Sequence, residues 1–356
     1  MNRMIALAVA LTALVSEAGE LWVDNVKGDD GNPGTKAKPF RTMNRALKDL
    51  KGGWTLHLVP NKEPYREIVA FGAKHNGTAA RPTVLEGHGA RMTGLDEVPA
   101  AEWTDEGNGV WSRYMWNNAW PMDRVGWWCA DFPLVWFDGK PGVNCTNLAT
   151  LVEGGFFLRK VKPADDRQNW IYVRPPKGRS PKTCRITTLT KSAKIDFIRC
   201  QHVVVRDIVN SHTPWDCFGS YAATNCVFDH VDGSYAMDQG ISAHSSINLL
   251  VKNSHFHRNA GCGICDVAIP QEGKRVVNMP CSVTYENCVI ENNTYRTPVE
   301  FHGLGENAPV VSRFRMVNCT VGRNTDDARW PHRDLVIHGK SSELEVKDCK
   351  IEGNVR

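Results

Sequence analysis

The amino-acid sequence predicts an all-β protein, wound as a right-handed parallel β-helix. Two observations carry that expectation. The first is a short phrase that recurs through the C-terminal half: Asn225-Cys226-Val227-Phe228, Asn253-Ser254-His255-Phe256, Asn287-Cys288-Val289-Ile290, Asn318-Cys319-Thr320-Val321 and Asp348-Cys349-Lys350-Ile351. Its copies start 28, 34, 31 and 30 residues apart, and Val205-Arg206-Asp207-Ile208 is a looser earlier copy. A period of that size marks stacked units, none of which can bury its apolar face alone. The second is the make-up of each copy: short β-branched and aromatic runs bounded by Gly, Asn, Asp and Pro, with no long segment of helical period. Such runs read as short strands separated by turns, whereas a helical solenoid needs an amphipathic helix in every repeat.

Taken in order, residues 1–18 read as a secretory signal peptide. Arg3 precedes an apolar run from Met4 to Val15, and Ser16-Glu17-Ala18 supplies small residues for cleavage. Twelve apolar residues are too few to span a bilayer, which needs about 20, so a secreted, periplasmic or cell-surface product is expected. Residues 19–100 read as an N-terminal cap with the first coil turns. Pro39 precedes an amphipathic segment from Arg41 to Leu50, Gly52-Gly53 ends it, and Trp54 to Val59 alternates as a strand. A solenoid needs such a cap over its open end. Residues 101–182 read as a Trp-rich β insertion and 183–356 as the coil repeats. The chain ends at Arg356 just after a repeat phrase, which suggests a fragment or an end that associates with another chain. The oligomeric state is left open.

Composition excludes several classes. A formal charge of +4 against 39 acidic residues, without a basic run, does not suit nucleic acid. Low hydropathy and the lack of a second apolar segment exclude membrane insertion. Twelve cysteines would ordinarily suggest disulfides. The repeat instead places Cys226, Cys288, Cys319 and Cys349 in one column, with Ser254 in the remaining place, and such a column suits reduced cysteines packing as small hydrophobes. Cys262-Gly263-Ile264-Cys265 is a lone CxxC, short of the four ligands a zinc site usually needs.

The opening from Leu21 to Tyr65 contains Gly28-Asp29-Asp30, Asn32-Pro33-Gly34-Thr35 and Pro39-Phe40-Arg41-Thr42. It resembles the start of secreted bacterial β-helix proteins of the pectate-lyase-like superfamily, where a strand, a loop and a short helix cap the coil. The phrases Arg81 to Gly87, Gly107 to Trp111, Val135 to Lys140 and Asn169 to Gly178 extend the likeness over most of the chain. In that order they resemble β-helix glycoside hydrolases and related polysaccharide-active proteins with a small insertion. The resemblance implies a polysaccharide as partner and leaves the reaction open, because one fold hosts many activities.

Seven of the twelve tryptophans fall between Trp103 and Trp136. Indole rings stack on sugars or pack a subdomain core. Trp116, Trp120, Trp127 and Trp128, in a stretch that reads as loop, are the candidate sugar platforms.

The second strand of each repeat can be aligned as Phe218 to Tyr221, Ile241 to His244, Gly263 to Asp266, Val299 to His302 and Leu335 to His338. Alternation then turns Ile241, Ala243, Val299, Phe301, Leu335 and Ile337 inward. Tyr221, His244, Asp266, His302 and His338 fall in one outward column, with Glu300 beside it. A one-residue slip near Asp266 would turn that residue inward. Three uses of the column stay open: Asp266 and Glu300 as the carboxyl pair of glycosidic cleavage, a histidine abstracting a proton beside a uronate with Arg296 or Lys340 neutralising charge, and a His/Asp metal site. A solvated polar ladder without chemistry is the plainest alternative.

The leading expectation is a glycoside hydrolase with Asp266, Glu300 and His302 as catalytic groups. His244, His338, Tyr221, Arg296, Asp238 and the four tryptophans would contact substrate. A polysaccharide lyase and a non-catalytic glycan-binding scaffold are the alternatives. No cofactor is expected, and calcium has no run of alternating Asp to hold it.

Overall fold

The computed structural model describes residues 19–116, 133–162, 165–293, 297–323 and 334–356, with residues 115–116, 160–162, 165–169 and 323 described by their backbone alone. Each coil turn lays one short strand on a face sheet and a second stretch on a larger, bent sheet. The face sheet runs through Ile68–Phe71, Lys194–Ile198, Phe218–Tyr221, Ile241–His244, Ile264–Val267, Val299–His302 and Leu335–His338, each parallel to the next. The bent sheet runs from Glu20–Val23 through Thr55–Leu58, Thr83–Thr93, Val203–Thr213 and Val227–Ala236 to Ser342–Lys347 and Lys350–Ile351. Among the described residues, no helix is long and apolar enough to cross a membrane.

The recurring Asn phrase is a corner. Asp207, His230, Asn253, Asn287, Asn318 and Asp348 stand at the bend with φ of 55°, 52°, 53°, 55°, 51° and 53°. That left-handed region suits Asn and Asp, whose short polar side chains bond locally. Their amides also stack: Asn287 Nδ2 donates to Asn253 Oδ1 at 3.1 Å, and Asn318 Nδ2 to Asn287 Oδ1 at 2.8 Å.

One copy of the phrase lies elsewhere. Val227 pairs with Leu250, so Asn225 (φ 54°) shares a different corner with Asn248 (φ 53°), 23 residues on. Cys226 therefore packs against Cys200, with sulfurs 3.8 Å apart, and Ser254, Cys288, Cys319 and Cys349 form the ladder without it. The expected single column is corrected in that respect. Among the described residues the cysteines are free thiols, mostly buried.

The coil interior is one continuous apolar core, with Phe197 stacked on Phe228 at 4.3 Å and Phe301 on Phe314 at 4.6 Å. The helix Met43–Asp49 closes the N-terminal end, burying Met43, Ala46 and Leu47. Thr42 Oγ1 caps it by accepting from Arg45 N, and the Glu67 carboxylate accepts from Met43 N and Asn44 N. The Gly-Asp-Asp loop folds beneath it. Asp30 accepts from Arg41 N and Thr42 N, and at Gly28 a Cβ would stand 2.1 Å from the Phe40 carbonyl.

Two small, mainly antiparallel sheets are inserted between the first coil turns and the rest of the coil. Thr104–Gly107, Val110–Trp116, Gly155–Lys162 and Asp165–Arg174 belong to one, and Leu95–Glu97, Val135–Phe137 and Ile186–Leu189 to the other. Their core includes Trp103 and Trp136 and docks on Met237 and Ala260 of the coil. Trp136 meets the His212 ring edge-on at 4.7 Å, so these indoles pack rather than bind.

Candidate functional site

The face sheet presents two outward columns. One carries Asp196, Gly219, Ser242, Cys265, Glu300 and Val336; the other carries Ile198, Tyr221, His244, Val267, His302 and His338. Val267 occupies the place expected for Asp266. Cys265 pairs with Ser242 and Asp266 with Ala243, one residue off the aligned register.

Asp266 therefore points into the coil, with no exposed surface. Its carboxyl accepts from the Tyr285 hydroxyl (3.0 and 2.9 Å) and from Ala243 N (3.0 Å). Burial raises its pKa to about 7 against those hydrogen bonds. Asp266 and Glu300 thus lie on opposite sides of the sheet, and the expected catalytic pair is withdrawn. The physical reason is a partner on the bent sheet: Tyr285 of Ser282–Glu286 satisfies a carboxyl that sequence pattern would place in water.

At the N-terminal end of the face, three charged groups meet. Lys194 Nζ lies 3.1 Å from Asp196 Oδ1 and 3.1 Å from Asp216 Oδ2, and Asp216 Oδ1 accepts from Gln239 N at 3.2 Å. Their side chains are 19%, 16% and 12% exposed, so the charges interact with little solvent between them. Burial raises the pKa of Asp196, opposed by Lys194. For Lys194 burial works downward, but Asp216 and Asp196 outweigh it and hold the ammonium charged. Gly219 makes the cluster fit, because a Cβ there would stand 2.1 Å from Asp196 Oδ1.

Next along the face, Ser242 Oγ donates to the Cys265 carbonyl at 2.8 Å and so accepts from His244 Nε2–H at 2.9 Å. Burial lowers the His244 pKa, with Asp216 opposing and Lys194 assisting, so the ring is neutral with Nδ1 as its basic atom. The Tyr221 hydroxyl bonds Glu272, which also pairs with Arg199 at 3.2 Å.

Further along the same face, Glu300 is 6% exposed. It accepts from Thr297 Oγ1 at 3.2 Å and meets His302 Nε2 at 3.2 Å. His302 stacks on His338 at 4.5 Å. Hydrogen bonds with Cys265 and Glu300 raise the His302 pKa to about 9.

Other expected residues fall apart from this face. Asp238 lies in the turn before Ile241–His244, and Lys340 pairs with Glu306 at 2.7 Å. Arg296, Trp120, Trp127 and Trp128 lie outside the described residues, and Trp116 ends a strand of the insertion. Sequence reasoning missed Lys194, Asp196 and Asp216. The alternation Lys194-Ile195-Asp196-Phe197 was the available signal, since it turns both charges outward beside an apolar pair. Two clefts, of about 460 and 440 Å³, lie elsewhere, at the insertion and beside the start of the cap helix.

No protein-family model and no curated protein matches the chain. Solved structures do. A XylC structure with xylose shares 12% identity at a TM-score of 0.55, over 94% of this chain and 66% of that one, so this chain spans just under two thirds of its length. A structure named glycoside hydrolase shares 11% identity at 0.54, over 95% and 97%. The likeness is one of fold alone: a right-handed parallel β-helix.

Proposed function

We propose that the protein degrades a polysaccharide at the exposed face of the coil, as a glycoside hydrolase whose carboxyl pair is Asp196 and Asp216. One observation carries this reading. Two largely buried carboxylates from adjacent turns converge on the same ammonium, each at 3.1 Å. Their bonded oxygens therefore lie no more than about 6 Å apart, an upper limit that includes the roughly 5–5.5 Å separation of a covalent, retaining mechanism. Asp196, raised by burial, is suited to protonate the departing glycosidic oxygen. Asp216, oriented by Gln239 N, is placed to attack the anomeric carbon. Lys194 holds the pair in position, and Tyr221 and His244 line the path beyond it.

Asp196→Asn and Asp216→Asn, assayed on a glycan panel by reducing-end release, should each lose on the order of 10²–10⁴-fold in rate. Full activity in both variants removes the assignment. Glycan binding with no product from any ligand supports the scaffold alternative.

A specific observation also favours the lyase reading. Neutral His244 is a base, and charged Lys194 could offset a uronate carboxylate. An unsaturated product absorbing in the ultraviolet separates elimination from hydrolysis. We further read the first 18 residues as an export signal, so the mature protein should begin at Gly19 by intact mass.

A further inference from the structure

The CxxC segment found too sparse for a metal in the sequence gains further candidate ligands from the next turn. Cys265 pairs with Glu300 across adjacent strands, and His302 follows two residues on, so alternation turns all three to the same side. Their ligand atoms lie within 4.8 Å of one another. Cys262 is almost wholly buried, and its free thiol hydrogen-bonds with that of Cys265.

We propose that Cys265, Glu300 and His302 bind a zinc-class divalent transition metal, with Cys262 as the thiol beside it and a fourth position open on the coil face. The donor set is one sulfur, one imidazole nitrogen and one carboxylate oxygen, which suits such an ion over calcium or magnesium. Tetrahedral bonds of roughly 2.0–2.3 Å place ligand atoms about 3.3–3.8 Å apart, so closure by an ångström or so completes the site. Thr297 Oγ1, bonded to Glu300 Oε1 at 3.2 Å, fixes the carboxylate from outside the ligand set. Three protein ligands with an open position is the arrangement that admits a water or a sugar hydroxyl.

A second cluster serves as the control. Asp232, His255 and His257 also lie within 4.8 Å, on the bent sheet. There Arg258 Nη1 donates to His257 Nδ1 at 3.0 Å, so Nε2 carries the proton that bonds Asp232 at 3.2 Å. The guanidinium already places a positive charge against that ring, which opposes a second cation there.

The test is a cobalt(II) titration of the full chain under a phosphine reductant, followed by absorption. The expected result is one cobalt per chain with a near-ultraviolet thiolate-to-metal charge-transfer band. Cys265→Ser should abolish the band, His302→Ala should weaken binding at least tenfold, and Asp232→Asn should change neither. Circular dichroism confirms that each variant is folded. The proposal is overturned if the wild type shows no thiolate band, if the band survives Cys265→Ser, or if Asp232→Asn removes it. The wild-type spectrum alone can overturn it, so the result does not depend on a variant folding. It is also independent of Asp196 and Asp216, whose assay reads glycan cleavage.

Discussion

Asp266 buries a carboxyl in an apolar interior, and the consequence is a stability that depends on pH. Its pKa stands at about 7 folded against 3.8 for the free side chain, so the folded state binds the proton more tightly. The contribution is complete below about pH 4 and is lost as pH rises through 7. Thermal unfolding of the wild type should therefore show a falling contribution across that window, and Asp266→Asn should flatten it. At pH 5 the same variant should be less stable by roughly 1–3 kcal/mol, because the new amide adds donors to a site built for acceptors. A melting temperature with the same pH slope in both proteins would refute the assignment. Gly219 makes a second prediction at this scale. Gly219→Ala should displace Asp196 and lower glycan cleavage at least about tenfold while the fold persists.

At the scale of the element, the corners hold the turns in register. Asn287 combines a left-handed backbone with amide bonds to both neighbouring corners. Asn287→Ala loses both and should cost about 1–2 kcal/mol in denaturant unfolding. Asn287→Gly keeps the backbone freedom and should cost less. Equal costs would mean that the amide ladder, not the backbone angle, carries the effect. The cysteine ladder from Ser254 to Cys349 lies one residue beyond these corners, where small side chains fit the inward step.

For the whole molecule, a coil couples mainly nearest neighbours, and its N-terminal end carries the helix Met43–Asp49 as a cap. Phe301→Ala removes a ring stacked on Phe314 at 4.6 Å inside the core and should cost about 3–5 kcal/mol. Hydrogen exchange should show the loss concentrated in the turns from Val299 onward, while amides of Thr55–Leu58 keep their protection. Uniform loss along the chain would indicate one cooperative unit instead.

The Asn phrase and its strand-like surroundings were enough to determine the coil, because stacked turns repeat the same local requirement: a corner residue tolerant of positive φ, then an inward small residue, then an alternating strand. The cap was legible in Pro39, the amphipathic segment from Arg41 to Leu50 and the Gly52-Gly53 that ends it. Register was decided only in three dimensions. Asn225 satisfies the phrase at another corner, and Cys265-Asp266 alternates equally well in either phase. Pattern favoured cysteine inside and aspartate outside. Tyr285, from a later strand, reversed that choice by supplying a hydroxyl to the buried carboxyl. The same shift placed Cys265 beside Glu300 and His302. The convergence of Asp196 and Asp216 on Lys194 likewise depends on adjacent turns and on the missing side chain at Gly219. Local chemistry therefore determined that this chain coils, and contacts between turns decided which of its polar groups face one another.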